Sequence, residues 1–420
     1  MTLPTNGPLH LKNLTIPGCL VDQDTALASL DLTIANGKIS TPLERAEVID
    51  MKGAMVFPAF IDMHTHLDKG HIWPRTPNPD GSFEGAINAV SNDKTGKWGV
   101  DDLRPRMSFS LRSAYAHGTR AIRTHLDQFD PKHDASWPLF SELRAEWAGR
   151  IDLQAACLAN CEMVEDAARF TAIADLVAAH EGVLGGLTIP NDQLDWQLET
   201  FLGAAQSRGI AADFHVDETL DPDVNTLKHI AQSVLDHGFD MSVTVGHLCS
   251  LSTMDEATAL NTLDLVARAG LHVVSLPMCN LYLQDRHPAR TPRYRGITLV
   301  HEMRARGINV SFASDNTRDP FYAYGDMDML EVMREATRIG HLDHAELDWV
   351  DAFLGNPAKA TGFDAPSLAP GAPADLVICR AREWTELFAR PQADRIVLRD
   401  GVQIDTTLPD YAELDPLMRT

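Results

Sequence analysis

Met55-Val56-Phe57-Pro58-Ala59-Phe60-Ile61-Asp62-Met63-His64-Thr65-His66 is an apolar run that ends in two histidines. Such a run predicts a buried β-strand, in which successive side chains point to opposite faces. His64 and His66 then share one face, while Met63 and Thr65 point the other way. Two imidazoles at the end of a buried strand can bind one divalent transition metal. The alternative is a pair of histidines without a joint role.

Short β-branched runs alternate with longer amphipathic segments between about residues 54 and 340. Eight candidate strands end near His66, Leu126, Asn160, Ile189, Val216, His247, Leu276 and Asp315. Eight consecutive strand–helix units predict an α/β fold, a parallel (β/α)₈ TIM barrel. A doubly wound sheet fits less well, because it rarely has eight consecutive units and its Gly-x-Gly-x-x-Gly motif is missing.

The two ends of the chain contain short alternating runs with hairpin signals. Asn36-Gly37 separates two such runs near the N-terminus, and Asp400-Gly401 follows another near the C-terminus. Both dipeptides favour tight β-hairpins. We therefore expect a small β-sandwich domain built from residues 1–53 and 365–420, with the metal-dependent barrel, residues 54–364, inserted between its halves.

Polar residues stand at the ends of the predicted barrel strands, where the active sites of such barrels lie. Besides His64 and His66, these are His215 on the fifth strand, His247 on the sixth and Asp315 on the eighth. A single histidine at a strand end is more often structural. Five polar groups at the same end of the predicted barrel strands indicate a functional site.

Composition and charge argue against several classes of partner. The 420 residues carry a formal net charge of −23, and an acidic surface repels phosphate backbones and anionic lipid. We therefore expect neither nucleic acid nor membrane partners. No apolar stretch has the length of a transmembrane helix, and the first residues lack a secretion signal. Together with six scattered cysteines, this predicts reduced thiols and a cytoplasmic location.

Six motifs span nearly the whole predicted barrel. They are Phe57–Asp68, Arg123–Asp127, His215–Glu218, Leu283–Arg286, Arg295–Thr298 and Asp315–Phe321. Together they resemble the amidohydrolase superfamily, and within it the cytosine deaminase group. The terminal β domain fits the same group.

The resemblance implies a mononuclear site with one divalent metal ion per chain, either zinc or iron. Its ligands would be His64, His66, His215 and Asp315. Dinuclear relatives bridge their metals with a carboxylated lysine on strand 3 or 4. This chain has no lysine between Lys132 and Lys228, so that bridge cannot form.

Catalytic roles follow from the charge that the metal provides. A bound divalent ion lowers the pKa of water toward ~7, and Asp315 and His247 would orient the resulting hydroxide. The ring nitrogen and the leaving amine must then be protonated, which we assign to Glu218. The alternative for Glu218 is a solvated acid at the start of a helix.

Substrate-binding candidates are Asn160, Gln284, Asn316 and Phe321. The cytosine deaminase group places glutamine at the position of Asn160 and aspartate at that of Asn316. Both differences favour a larger or differently seated ring than cytosine, such as a pterin or isoguanine, with isocytosine and a triazine left open. Phe321 would stack on a flat ring. Gln284 and Asn280 could bind the ring or cap a loop.

These observations predict a hydrolytic deaminase, a hydrolase of C–N bonds that replaces the exocyclic amine of an N-heterocycle by oxygen and releases ammonia. Its partner is a small amino-heterocycle, and the sequence leaves open whether the chain forms a homo-oligomer. A ring-opening cyclic amidohydrolase is the alternative, although such relatives usually bind two metals. A non-catalytic protein of the same fold is a third, although such proteins typically lose ligands.

Overall fold

A computed structural model describes residues 2–4, 7–127, 135–344 and 348–419. Its strands are β1 (Leu9–Pro17), β2 (Leu27–Ala35), β3 (Lys38–Ser40), β4 (Glu47–Asp50), β5 (Met55–Pro58), β6 (Phe60–Thr65), β7 (Thr119–Leu126), β8 (Asp152–Cys157), β9 (Ala159–Asn160), β10 (Leu184–Leu187), β11 (Ala212–Val216), β12 (Val243–His247), β13 (His272–Ser275), β14 (Asn309–Phe312), β15 (Leu376–Cys379), β16 (Ile396–Arg399) and β17 (Val402–Gln403). Its α-helices are α1 (Phe83–Lys97), α2 (Val100–His117), α3 (Ser136–Trp147), α4 (Ala167–Ala179), α5 (Leu194–Arg208), α6 (Thr226–His237), α7 (Glu256–Ala269), α8 (Pro277–Leu283), α9 (Val300–Ala305), α10 (Met329–Gly340), α11 (Gly355–Thr361), α12 (Trp384–Ala389) and α13 (Asp415–Met418).

Eight parallel strands form a closed barrel: β6, β7, β8, β10, β11, β12, β13 and β14. β6 to β8 make one ladder and β9 to β14 another, with β9 continuing β8. Two parallel bridges, Ala156 to Val183 and Thr65 to Asp315, join the two ladders. Helices between successive strands bury the outer face of the barrel in one large apolar core. The predicted (β/α)₈ barrel is confirmed.

The strands at the two ends of the chain form a second, mixed sheet. Within it β1 pairs antiparallel with β2 and parallel with β4 and β5, and β5 pairs antiparallel with β15. One apolar core lies against this sheet and contains Leu11 and Val56 from the first part of the chain and Leu376 and Leu398 from the last. The prediction that both termini build one β domain is confirmed by this pairing.

The apolar run before the two histidines is divided between both sheets, whereas the sequence predicted one strand. Residues 55–58 pair with β15 in the terminal sheet, and β6 pairs with β7 in the barrel. Pro58 has no N–H to donate, and the change of sheet follows directly after it. We therefore propose that the barrel begins at Phe60 rather than at residue 54.

Both predicted hairpins form. Asn36 and Gly37 have φ angles of 52° and 77° between β2 and β3, and Asp400 and Gly401 have 46° and 74° between β16 and β17. Two consecutive positive φ angles suit Asn-Gly and Asp-Gly and match the twist of the flanking strands.

None of the helices that the structure describes combines the length and the apolar character needed to cross a membrane.

Candidate active site

Four histidines and one aspartate meet at the carboxyl end of the barrel. The ring centres of His64 and His215 are 4.7 Å apart, and those of His215 and His247 are 5.0 Å apart. Asp315 Oδ1 lies 3.3 Å from His66 Nε2 and 3.6 Å from His64 Nε2. The structure therefore brings together the five groups that the sequence placed at strand ends.

Most polar atoms of this cluster are buried without a hydrogen-bond partner among the described residues. They include both ring nitrogens of His64 and His215, Nε2 of His247 and both carboxylate oxygens of Asp315. Burying polar atoms without partners is costly, and native proteins rarely leave so many together. A divalent transition metal with nitrogen and oxygen ligands would satisfy them, so the residues present fit such an ion.

His125, at the end of β7, is a further member of this cluster. Its ring centre lies 4.1 Å from that of His64, and its donor atoms group with those of His64, His66 and His215. His125 Nε2 is 3.3 Å from Asp213 Oδ1, and Arg123 donates to the other oxygen of that carboxylate at 2.9 Å. His125 thus lies between the histidine cluster and the buried Asp213 carboxylate.

Asp127 orients His66 from the side opposite Asp315. Asp127 Oδ1 lies 3.0 Å from His66 Nδ1, so Nδ1 carries the proton and Nε2 faces the cluster with its lone pair. Burial alone would raise the pKa of Asp127, but the ammonium of Lys69 and the His66 ring hold it below its ordinary value. The carboxylate is thus charged where His66 needs an acceptor.

Glu218 lies beside the cluster, just past the end of β11. Its side chain is 7% exposed, so it is not a solvated acid. Its Oε1 accepts a hydrogen bond from Asn280 Nδ2 at 3.1 Å and lies 3.4 Å from His247 Nδ1. Burial first, and then the charge of Asp315, raise the pKa of Glu218 well above its ordinary value. The group can therefore hold a proton in this site and release it to a substrate.

Asn280 connects Glu218 to His247. The same Nδ2 lies 3.1 Å from His247 Nδ1, which therefore accepts, leaving Nε2 of His247 protonated and directed at the cluster. Burial lowers the pKa of His247 to about 4, so its imidazole is neutral. The sequence left open whether Asn280 binds the ring or caps a loop. The only hint of this bridging role was its position on α8, directly after β13.

A cavity of about 340 Å³ opens beside the cluster. Its walls comprise the polar residues His66, Lys69, Ser91, Lys94, Asp127, Asn160, His215, Glu218, His247, Asp315 and Asn316 and the apolar residues Phe83, Ile87, Val90, Leu158, Met163, Leu187 and Phe321. The volume is at the lower end of the ~300–1,000 Å³ range of small-molecule sites.

Three of the four predicted substrate-binding residues, Asn160, Asn316 and Phe321, line this cavity, and Gln284 does not. Gln284 lies behind Glu218 and donates to its backbone oxygen at 3.2 Å. Phe321 is contacted on its ring face by the ammonium of Lys69 at 4.3 Å.

The two asparagines of the cavity wall already have protein partners. Asn160 caps a short 3₁₀ helix by accepting from the backbone N–H of Glu162 at 3.0 Å. Asn316 accepts from the thiol of Cys279 at 3.2 Å and donates to Asp319 at 3.0 Å. Either amide would have to share or exchange these hydrogen bonds to bind a substrate.

Sequence reasoning missed two parts of the site. One face of α1, which contains Phe83, Ile87 and Val90, covers the cavity, and Lys69 lies on its wall. The length of segment 70–100 allows a lid, with ordinary loop packing as the alternative, but no local pattern in it indicates the helix. The only signal for Lys69 was its position three residues after His66.

The chain is similar to known proteins in both sequence and structure. A family model described as the amidohydrolase family matches residues 47–129 and 145–405. The chain is 49% identical over 431 residues to a pterin deaminase of Rhizobium rhizogenes (strain K84 / ATCC BAA-868), covering 100% of this chain and 98% of that protein.

Solved structures share the fold over nearly the whole length. 5-Methylcytosine deaminase from Klebsiella pneumoniae, liganded with 5-fluorocytosine, superposes with a TM-score of 0.80 at 25% identity, over 96% of this chain and 98% of that one. N-isopropylammelide isopropylaminohydrolase from Burkholderia multivorans has a TM-score of 0.76 at 24% identity, over 96% of this chain and 100% of that one. Because its sequence identity is below 25%, the second structure supports the fold alone.

Proposed function

The chain belongs to the amidohydrolase family, and on that premise we propose that it is a hydrolytic deaminase whose substrate is a pterin. One observation carries the proposal. A buried glutamate that can hold a proton lies beside a set of unpartnered nitrogen and oxygen donors, at the wall of a cavity suited to a flat heterocycle.

The donor set is proposed to hold one divalent metal ion through His64, His66, His215 and Asp315. The unpartnered atoms of these buried residues support this, and both zinc and ferrous iron suit three nitrogens and one oxygen. Such an ion would act as a Lewis acid that makes water a nucleophile at neutral pH. The His125 ring lies 4.1 Å from that of His64 and 4.7 Å from that of His215, and His125 is proposed to hold these two ligands in place.

Asp315 and Glu218 are proposed to transfer the protons, and His247 is proposed to orient the attacking water. Water adds to the aminated ring carbon, and Asp315 accepts its proton while the Nε2–H of His247 orients the attacking oxygen. Glu218 gives its proton to the ring nitrogen, takes up the proton of the added hydroxyl group and passes it to the amine. The proton that Asp315 accepted from water then restores the acid form of Glu218. The C–N bond breaks, ammonia leaves, and the carbon keeps the oxygen as an oxo group.

Two observations support a pterin over a single-ring substrate. The relative that is 49% identical over the whole chain is a pterin deaminase. In addition, the apolar face of α1 lines the cavity, which gives a second ring a surface to pack against.

Ammonia release from metal-replete protein tests the proposal. We expect pterin to give the highest kcat/KM in a panel with isoguanine, isocytosine, cytosine and an aminotriazine. Glu218→Gln should lower kcat by ~10²–10⁴-fold, the usual range for loss of general acid–base catalysis, without changing metal content. Glu199→Gln, an exposed change on α5, is the matched control.

Higher activity on cytosine than on pterin would contradict the substrate assignment. Unchanged turnover in Glu218→Gln would remove Glu218 from the mechanism.

A further inference from the structure

Lys69 is a buried cation on the wall of the active-site cavity. It is 3% exposed. Its Nζ lies 3.4 Å from Asp127 Oδ2 and 4.3 Å from the centre of the Phe321 ring. Among the residues that the structure describes, none accepts a hydrogen bond from this ammonium.

The side chain is charged at neutral pH. Burial alone would lower the pKa of Lys69, but the carboxylates of Asp127, Asp319 and Asp315 together raise it. An ammonium has three N–H donors, and a buried charge is stable only when it is both paired and hydrogen-bonded. The cavity therefore contains a cation whose donors have no acceptor in the described part of the protein.

Lys69 lies at the reacting end of the cavity. Glu218, His215 and Asp315 line the same space as Lys69, and the charge of the Asp315 carboxylate helps to raise the pKa of Lys69. Contact with the Phe321 ring on one side and Asp127 on the other restricts the long side chain. A heterocycle with its aminated carbon at the cluster would thus meet a fixed cation.

We propose that Lys69 binds the ring oxo oxygen of the substrate and selects heterocycles in which that oxo group is conjugated with the aminated carbon. The proposal rests on the proposed function, because pterin carries such an oxo group. When water adds to the aminated carbon, electron density moves through the ring nitrogen onto the oxo oxygen. A preorganised cation there stabilises the transition state more than the ground state.

A purely structural role for Lys69 makes a different prediction. If Lys69 only holds Asp127, and through it His66, its loss lowers activity equally on every substrate. If Lys69 binds the oxo group, its loss matters only for substrates that carry one. Comparing two substrates in two enzymes separates these roles.

The test measures kcat/KM for wild type and Lys69→Met with pterin and with 2-aminopteridine, which lacks the oxo group. Wild type should prefer pterin, and Lys69→Met should lose ~10²–10³-fold on pterin, as when one oxyanion donor is removed, mainly in kcat. On 2-aminopteridine the two enzymes should differ by less than ~10-fold, because the contact is absent there. The preference for pterin should therefore largely disappear in the variant.

Lys69→Gln, which keeps a donor without the charge, is the second variant and should lose less on pterin than Lys69→Met. Lys12→Met, an exposed change on β1, is the matched control and should leave both substrates unchanged. Metal content and the thermal midpoint are measured for each protein.

Equal losses on both substrates, with the thermal midpoint and metal content preserved, would overturn the assignment of Lys69 while leaving the deaminase intact. A wild type that releases no ammonia from pterin would instead contradict the proposed function.

Discussion

Single residues in this site fix the protonation states of their neighbours. Asp127 holds the proton of His66 on Nδ1, and Asn280 holds that of His247 on Nε2. Each contact is made by a residue outside the five-membered cluster. Loss of such a partner should weaken metal binding or slow the reaction without disturbing the fold.

Asp127→Asn should weaken binding of the metal. The amide does not carry the negative charge that makes His66 a stronger ligand, and changes to such partners typically cost ~10–100-fold in metal affinity. Competition with a chromogenic chelator measures this affinity directly. Asp195→Asn, an exposed change on α5, is the control, and an unchanged affinity in Asp127→Asn would show that His66 does not depend on Asp127.

The positions of the polar residues in the site were predictable where these residues lie at the ends of strands. His64, His66, His215, His247 and Asp315 follow buried strands, and parallel strands of a barrel present their ends on one side. The positions of Lys69 and Asn280 depend instead on how loops and short helices return over the barrel. No local pattern encodes that path.

At the scale of elements, the eight barrel strands and both hairpins follow from apolar runs and from the Asn-Gly and Asp-Gly turns. The division of residues 55–66 between two sheets does not. Both halves of the run are buried, so periodicity alone cannot show which neighbour each half pairs with. The tertiary partners β15 and β7 determine the break.

The loop that follows β6 is tied to the loop that follows β14. His71 donates its backbone N–H to Thr317 at 2.9 Å, and Trp73 donates to Arg318 at 2.8 Å. The His71 side chain is buried, with Nε2 3.1 Å from the hydroxyl of Ser110. Burial, and then the charges of Arg318 and Arg106, lower the pKa of His71 to about 3.

His71 should therefore make the protein sensitive to acid. Its pKa is lower in the folded than in the unfolded chain, so its contribution is fully present above pH ~6.5 and is lost as the pH falls toward the folded value. One such proton changes the free energy of unfolding by up to ~1.4 kcal/mol per pH unit. Urea denaturation at several pH values should show a shallower decline for His71→Gln than for wild type. Parallel declines would contradict the assignment.

At the scale of the whole molecule, a buried ion pair joins the terminal sheet to the barrel. Arg395, directly before β16, donates to both carboxylate oxygens of Asp328 at 2.7 and 2.6 Å. Asp328 also caps α10 by accepting from the N–H of Leu330. The two side chains are 4% and 11% exposed.

Arg395→Ala should destabilise the protein strongly, because it leaves the Asp328 carboxylate buried without its partner. Removing one member of a buried pair costs ~3–5 kcal/mol. Arg380→Ala is the matched control, since Arg380 pairs with Asp394 at the surface and such pairs contribute ~0–1 kcal/mol. Chemical denaturation gives both values, and equal effects would show that the contact between the domains does not depend on Arg395.

The central claim is hydrolytic deamination of a pterin, and mass spectrometry of the product formed in water enriched in heavy oxygen tests it most directly. We predict that pterin is converted to lumazine, with one labelled oxygen in place of the amine nitrogen and one ammonia released per product. Glu218→Gln, loaded with the same metal, should give almost none. A ring-opened product that keeps the amine and forms without ammonia would contradict the account.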